Sequence, residues 1–99
     1  RDVKFDLEFK PGAEKELKEL IRKNPDSAAE LIKYLNQIAN EPYKYPKKKG
    51  KLKSCRALSF SIKGVSWRLV FRIFDDSSIV EILAIGVHDD AYSSAERRL

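Results

Sequence analysis

Three strand-like runs joined by very short connections constrain this chain more than any other feature. "RALSFSI" from Arg56, "SWRLVFRIF" from Ser66 and "IVEILAI" from Ile79 are separated by Lys63-Gly64-Val65 and by Asp75-Asp76-Ser77-Ser78. Connections of that length and composition are hairpin turns, so the runs form an antiparallel meander. Alternation then sorts their side chains. Leu58, Phe60 and Ile62 share one face of the first run, opposite Ala57, Ser59 and Ser61; Trp67, Leu69, Phe71 and Ile73 share one face of the second, opposite Arg68, Val70 and Arg72. One sheet face is expected to be apolar and the other polar, with Arg68, Arg72 and the serines turned outward.

Upstream, "VKFDLEF" alternates Val3, Phe5, Leu7 and Phe9 with polar residues, the pattern of a half-buried strand. Pro11 and Gly12 break it. Residues 13–23 then place Ala13, Leu17, Leu20 and Ile21 on one side of a helix rich in Glu and Lys, which Pro25 closes. Asp26 or Ser27 can cap a second helix, whose Ala28, Leu31, Ile32, Leu35 and Ile38 recur at helical spacing until Pro42. At the far end "SSAE" offers a capping box between Ser93 and Glu96, so a short helix is expected from about Ser93. The reading is an α+β fold in β-α-α-β-β-β order with a short C-terminal helix. Residues 1–99 are expected to form one small domain, its mainly antiparallel sheet covered on one face by two helices.

The net charge of +5 is concentrated. From Lys44 to Arg56, "KYPKKKGKLKSCR", there are seven basic residues and no acidic one, whereas residues 1–43 and 57–99 each sum to −1. Such a field beside Tyr43 and Tyr45 suits a polyanion, since Lys and Arg displace counterions from phosphates. A merely solvated loop has the same composition, so both readings stay open. With Pro42, Pro46 and Gly50 the segment reads as a loop of about a dozen residues, longer than is usual in compact folds. Cys55 alone cannot form an internal disulfide, and no Cys/His cluster has the spacing of a zinc site. No apolar run approaches the roughly 20 residues of a membrane span, and the start carries no apolar signal segment. A reducing, cytoplasmic setting is expected, without membrane or metal. The chain has no methionine and opens on Arg1, so a natural start upstream is also expected.

Four segments stand in a telling order: "FDLEFKPGAEKELKEL", "GKLKS" ahead of the first hairpin strand, "WRLVFRI", and "LAIGVHDDAY" before a terminal helix. Together they resemble the RelE/ParE superfamily of bacterial and archaeal toxins of toxin-antitoxin systems, over nearly the whole chain. The resemblance implies a RelE-like sheet covered by two helices, a cognate antitoxin protein as inhibitory partner, and no cofactor. In the RelE branch it implies ribosome-dependent cleavage of mRNA, the activity of an mRNA interferase. The ParE branch has the same fold but poisons DNA gyrase, and a degenerate member would only bind its antitoxin. Fold does not choose among these.

Residue by residue, the resemblance implies that Arg68, after the aromatic Trp67, is the arginine of the family's "YRLVY"-type strand. Tyr92 corresponds to the tyrosine near the terminal helix. His88 stands where RelE-like sequences carry an arginine after the last strand, which shifts the expected chemistry toward proton transfer. The lysine pair that those sequences place before "YRLVY" falls at Ala57 and Ser59, so the usual general base is missing. Metal-independent RNA cleavage must remove the proton of a 2′-hydroxyl, protonate the departing 5′-oxygen and stabilise the phosphorane between them. His88 can act as base or acid, because imidazole titrates nearest neutrality. Arg68 can clamp the phosphate with a planar fork of donors, and Arg72 on the same face can reinforce it. Tyr92 can orient the nucleophile or stack on a base. Lys47, Lys48, Lys49, Lys51, Lys53 and Arg56 would hold the flanking RNA backbone. Each residue has a structural alternative. His88 with Asp89 and Asp90 can shape the turn into the last helix, Arg68 or Arg72 can pair with Glu81 across the sheet, Tyr92 can pack that helix, and Tyr43 and Tyr45 can anchor the loop.

Overall fold

The computed structural model describes residues 4–99, so Val3, the first apolar position of the N-terminal pattern, lies outside the described residues. The chain runs β1 (Asp6–Phe9), α1 (Pro11–Lys23), α2 (Ala28–Asn40), β2 (Cys55–Ile62), β3 (Val65–Phe74), β4 (Ile79–Val87) and α3 (His88–Arg98). Short 3-10 turns interrupt the connections at Pro25–Ser27, Pro42–Lys44 and Gly50–Leu52. The meander β2-β3-β4 is antiparallel, as its turns require. Between paired Ile62 and Val65, Lys63 at φ 51° and Gly64 at φ 81° make a two-residue turn of the primed kind that matches strand twist. Val65 belongs to β3 rather than to the turn. β1 lies along β4 in parallel, which gives the sheet order β1-β4-β3-β2.

Helices α1 and α2 cover the apolar face of the sheet. Ala13, Leu20, Leu31, Leu35 and Ile38 form one buried cluster with Phe60, Ile62, Leu69, Phe71, Val80, Ile82 and Ile85, with Phe5, Leu7, Phe9, Leu17 and Ile21 packed against it. Pro11 sits in the first turn of α1 rather than before it, where its missing N–H costs nothing. Ile32 departs from the expected core: it is 53% exposed, because the buried stripe of α2 runs through its neighbours Leu31 and Leu35.

The second sheet face corrects the sequence reading. It is not polar throughout. Cys55, Ala57, Val70, Leu83 and Ala84 form a second buried cluster there with Leu52, Ala91 and Ala95, covered by α3. That helix leaves β4 directly at His88, and Ser93 lies within it, so the Ser93/Glu96 pair is not its start. Asp89 and Asp90 occupy its first turn, where negative charge opposes the helix dipole favourably. Small residues let it lie close to the sheet; a Cβ on Gly86 would sit 3.3 Å from the backbone nitrogen of Ala91.

A bulge in β4 helps position α3. Val70 pairs with Ala84 and Phe71 with Ile82, so Leu83 is an extra residue. β1 ends at Phe9, opposite Ile82, and among the described residues the rest of β4 has no strand neighbour on that side. Glu16 of α1 fills the gap: its Oε1 accepts from the Ile85 N–H at 3.0 Å and from Arg98 at 2.9 Å, while Oε2 accepts a second bond from Arg98 at 2.9 Å. Arg98 also donates to the Leu83 carbonyl at 2.9 Å. The end of α3 is thereby latched to α1, and the bonded carboxylate pushes the Arg98 pKa up.

Candidate functional site

Arg68 lies on the α3 side of β3, next to Ser59 of β2 and Gly86 of β4. Its Nε donates to the Tyr92 hydroxyl oxygen at 3.2 Å; one terminal nitrogen donates to Ser66 Oγ at 2.7 Å and to the Trp67 carbonyl at 3.1 Å. The guanidinium is thus held on its inner side. Lys48 Nζ, arriving from the basic loop, donates to the same tyrosine oxygen at 3.2 Å and lies 4.6 Å from the ring centroid. His88 is one helical turn before Tyr92, and the two rings meet edge to face with centroids 6.1 Å apart. Its Nδ1 is 2.7 Å from Asp89 Oδ1, and its side chain is 57% exposed. If Nδ1 donates to that carboxylate, Nε2 is left free to exchange a proton.

The three residues singled out as reactive, Arg68, His88 and Tyr92, therefore come together on one face. The early start of α3 brings this about, because it sets His88 and Tyr92 on one helix directly beside Arg68. Tyr92 packs against the second cluster as well, so the packing and site readings describe the same side chain. Arg68 does not pair with Glu81. Arg72 does, at 2.7 Å, with Lys10 3.8 Å from the same carboxylate. Four strand residues put Arg72 about 13 Å from Arg68, which makes it part of an ion network at the other end of the sheet.

The basic loop divides around the edge of β2. Arg56 is spent on the loop itself, donating to the carbonyls of Tyr43 at 3.2 Å and Tyr45 at 2.8 Å. Tyr45 is buried edge-on against Phe71, as an anchor should be, whereas Tyr43 is 48% exposed beneath Arg56. Lys47 and Lys53 line a shallow groove of about 150 Å³ with Tyr43, Ser54, Arg56 and Ile73. Lys49 and Lys51 are exposed. Of the positions where the lysine pair was expected, Ala57 is buried under α3 and Ser59 is exposed. Cys55 is fully buried, which pushes its thiol pKa up.

Sequence reasoning treated Lys48 as one charge among many and missed Ser66 entirely. Strand alternation puts Ser66 on the same face as Arg68, two residues earlier on β3, so that spacing was the signal that could have found it. Chemically, two cations and a phenol converge with an imidazole at the rim. Such a site can bind an oxyanion, stabilise charge developing on it and move a proton nearby.

A mixed four-stranded sheet with two helices on one face and a third crossing the other is the architecture of the RelE/ParE class of toxins. The chain belongs to the family of ParE toxins of type II toxin-antitoxin systems, parDE, which it matches over residues 7–92. Similar solved structures include a mutant of the E. coli toxin RelE in the free state, with 22% identity over 97% of this chain and 98% of that one and a TM-score of 0.72. The RelBE2 toxin-antitoxin complex from Mycobacterium tuberculosis is 22% identical over 87% and 100%, with a TM-score of 0.68. The intact E. coli RelBE complex is 22% identical over 86% and 98%, with a TM-score of 0.69. At these identities the likeness is one of fold. No curated protein matches the chain in sequence.

Proposed function

We propose that this toxin is a ribosome-dependent mRNA endoribonuclease that inhibits translation, cutting RNA without a metal by attack of a 2′-hydroxyl on the adjacent phosphate. One observation carries the reading: Lys48 and Arg68 converge on a single phenol oxygen, with His88 one turn away. Two like charges this close repel, and a phosphate set between them relieves the repulsion. Arg68 then stabilises the phosphorane. His88 takes the proton of the 2′-hydroxyl or supplies one to the departing 5′-oxygen, with solvent water serving the other transfer, and Tyr92 orients the reacting group. Lys47, Lys49, Lys51 and Lys53 draw the RNA backbone toward the site, while Arg56 keeps their loop in shape. The solved RelBE complexes support a cognate antitoxin as the silencing partner; ribosome and mRNA are the target in this proposal.

A reconstituted translation reaction tests this directly. Truncated mRNA on ribosomes, with 2′,3′-cyclic phosphate ends, is the expected product. The family match favours a second reading, a poison of DNA gyrase. Intact mRNA together with cleaved DNA trapped on gyrase would establish that reading instead. Intact mRNA and untouched gyrase in a chain that still binds its antitoxin would mark a degenerate member, as the absence of lysine at Ala57 and Ser59 allows.

A further inference from the structure

Lys48 reaches the site by a route that no strand pattern announces. The segment carrying it is stitched along the edge of β2: the Lys48 N–H donates to the Cys55 carbonyl at 2.9 Å, Ala57 N–H donates to the Pro46 carbonyl at 3.2 Å, and Lys47 bridges to Arg56. Arg56 fastens the preceding turn through the Tyr43 and Tyr45 carbonyls. Backbone bonds therefore decide where each lysine goes. Lys47 faces the groove beside Tyr43, while Lys48 is half-buried against Tyr92 on the α3 side.

We propose that Lys48 is a second phosphate-contacting cation of the reaction site, acting with Arg68 on one phosphodiester, so that the basic loop contributes a catalytic residue as well as an approach surface. The proposal rests on the nuclease reading above. Arg68 has its Nε and one terminal nitrogen committed to Tyr92, Ser66 and Trp67, which leaves its second terminal nitrogen for a non-bridging oxygen. The Lys48 ammonium has three donors and shows one side-chain partner among the described residues, the Tyr92 oxygen. Neither cation has a carboxylate within ion-pair distance among the described residues. A neutral phenol can order two cations but cannot balance them; an anion of at least one full charge with several acceptor oxygens can. Lys48 thus supplies, from the loop, the positive charge that Ala57 and Ser59 do not supply from the strand.

The test compares Lys48→Met, Lys48→Arg and Lys33→Met, the last removing the same charge from the exposed side of α2. In single-turnover cleavage at saturating ribosomes, Lys48→Met is expected to lower the rate roughly 10²-fold or more with little change in half-saturation. Lys48→Arg should regain part of the loss, and Lys33→Met should behave as wild type. A loss in half-saturation alone, or equal effects of Lys48→Met and Lys33→Met, overturns the proposal. A second measurement does not depend on cleavage: titration with inorganic phosphate, read at the Arg68 Nε–H resonance of ¹⁵N-labelled protein. Wild type should shift and Lys48→Met should not. If wild type cuts no RNA yet phosphate still moves that resonance in a Lys48-dependent way, the nuclease reading fails and the shared anion site stands. If phosphate leaves the resonance unmoved in wild type, or moves it equally in Lys48→Met, Lys48 is no part of an anion site.

Discussion

One helical turn separates His88 from Tyr92, and the two make different forecasts. The His88 ring is mostly exposed and, among the described residues, bonded only to Asp89, so replacing it disturbs little packing. His88→Gln should lower single-turnover cleavage by about 10²–10⁴-fold, the usual worth of general acid-base catalysis, and leave the melting temperature nearly unchanged. Full activity with reduced stability would make His88 a turn residue. Tyr92→Phe removes the oxygen that orders Arg68 and Lys48 while keeping the ring under α3. Hydrogen bonds to charged groups are worth about 1.5–3 kcal/mol, so the expected loss is roughly 10–10²-fold in rate with the fold intact. An unchanged rate would reduce Tyr92 to packing.

Turns and helix ends carry the next forecasts. Lys63 holds a left-handed backbone conformation, strained for a side chain with a Cβ. Lys63→Asn should therefore stabilise the chain by about 0.5–1 kcal/mol, seen as a rise of several degrees in melting temperature. At Gly12 a Cβ would lie 2.5 Å from the Arg98 guanidinium carbon. Gly12→Ala should thus destabilise by about 1 kcal/mol although alanine favours helix, and should become stabilising by about 0.5–1 kcal/mol once Arg98→Ala has removed the latch. Urea unfolding of the four proteins in that cycle measures the coupling; additive effects would show that the latch does not feel Gly12. The same elements show what sequence could and could not tell. The meander, α1 and α2 were legible because alternation and helical spacing are local. The start of α3 was misread because "SSAE" is a good local cap, while the real determinants, Ala91 and Ala95 against Ala57, Val70 and Ala84, are contacts between distant small residues. Lys48 meeting Tyr92 was illegible for the same reason. Arg68, His88 and Tyr92 were found by resemblance, and their convergence depends on the helix start that the cap obscured.

Taken as a whole, the molecule concentrates its excess charge in the segment from Lys44 to Arg56, where Lys49, Lys51 and Lys53 stand exposed. Neutralising these three should weaken ribosome binding and flatten its dependence on salt, since the slope counts phosphate contacts. An unchanged slope would make the segment a solvated loop. The sheet order has a consequence of another kind. β2, β3 and β4 pair across tight turns, but β1 pairs Asp6 with Ile79 and must wait for the opposite end of the chain. Closing so large a loop is paid for only after the meander exists. The sheet is therefore expected to nucleate at the Lys63-Gly64 hairpin and to finish with β1. A favourable turn at Lys63 then acts mostly on the speed of folding, whereas trimming Leu7 or Phe9 acts mostly on how fast the finished toxin comes apart.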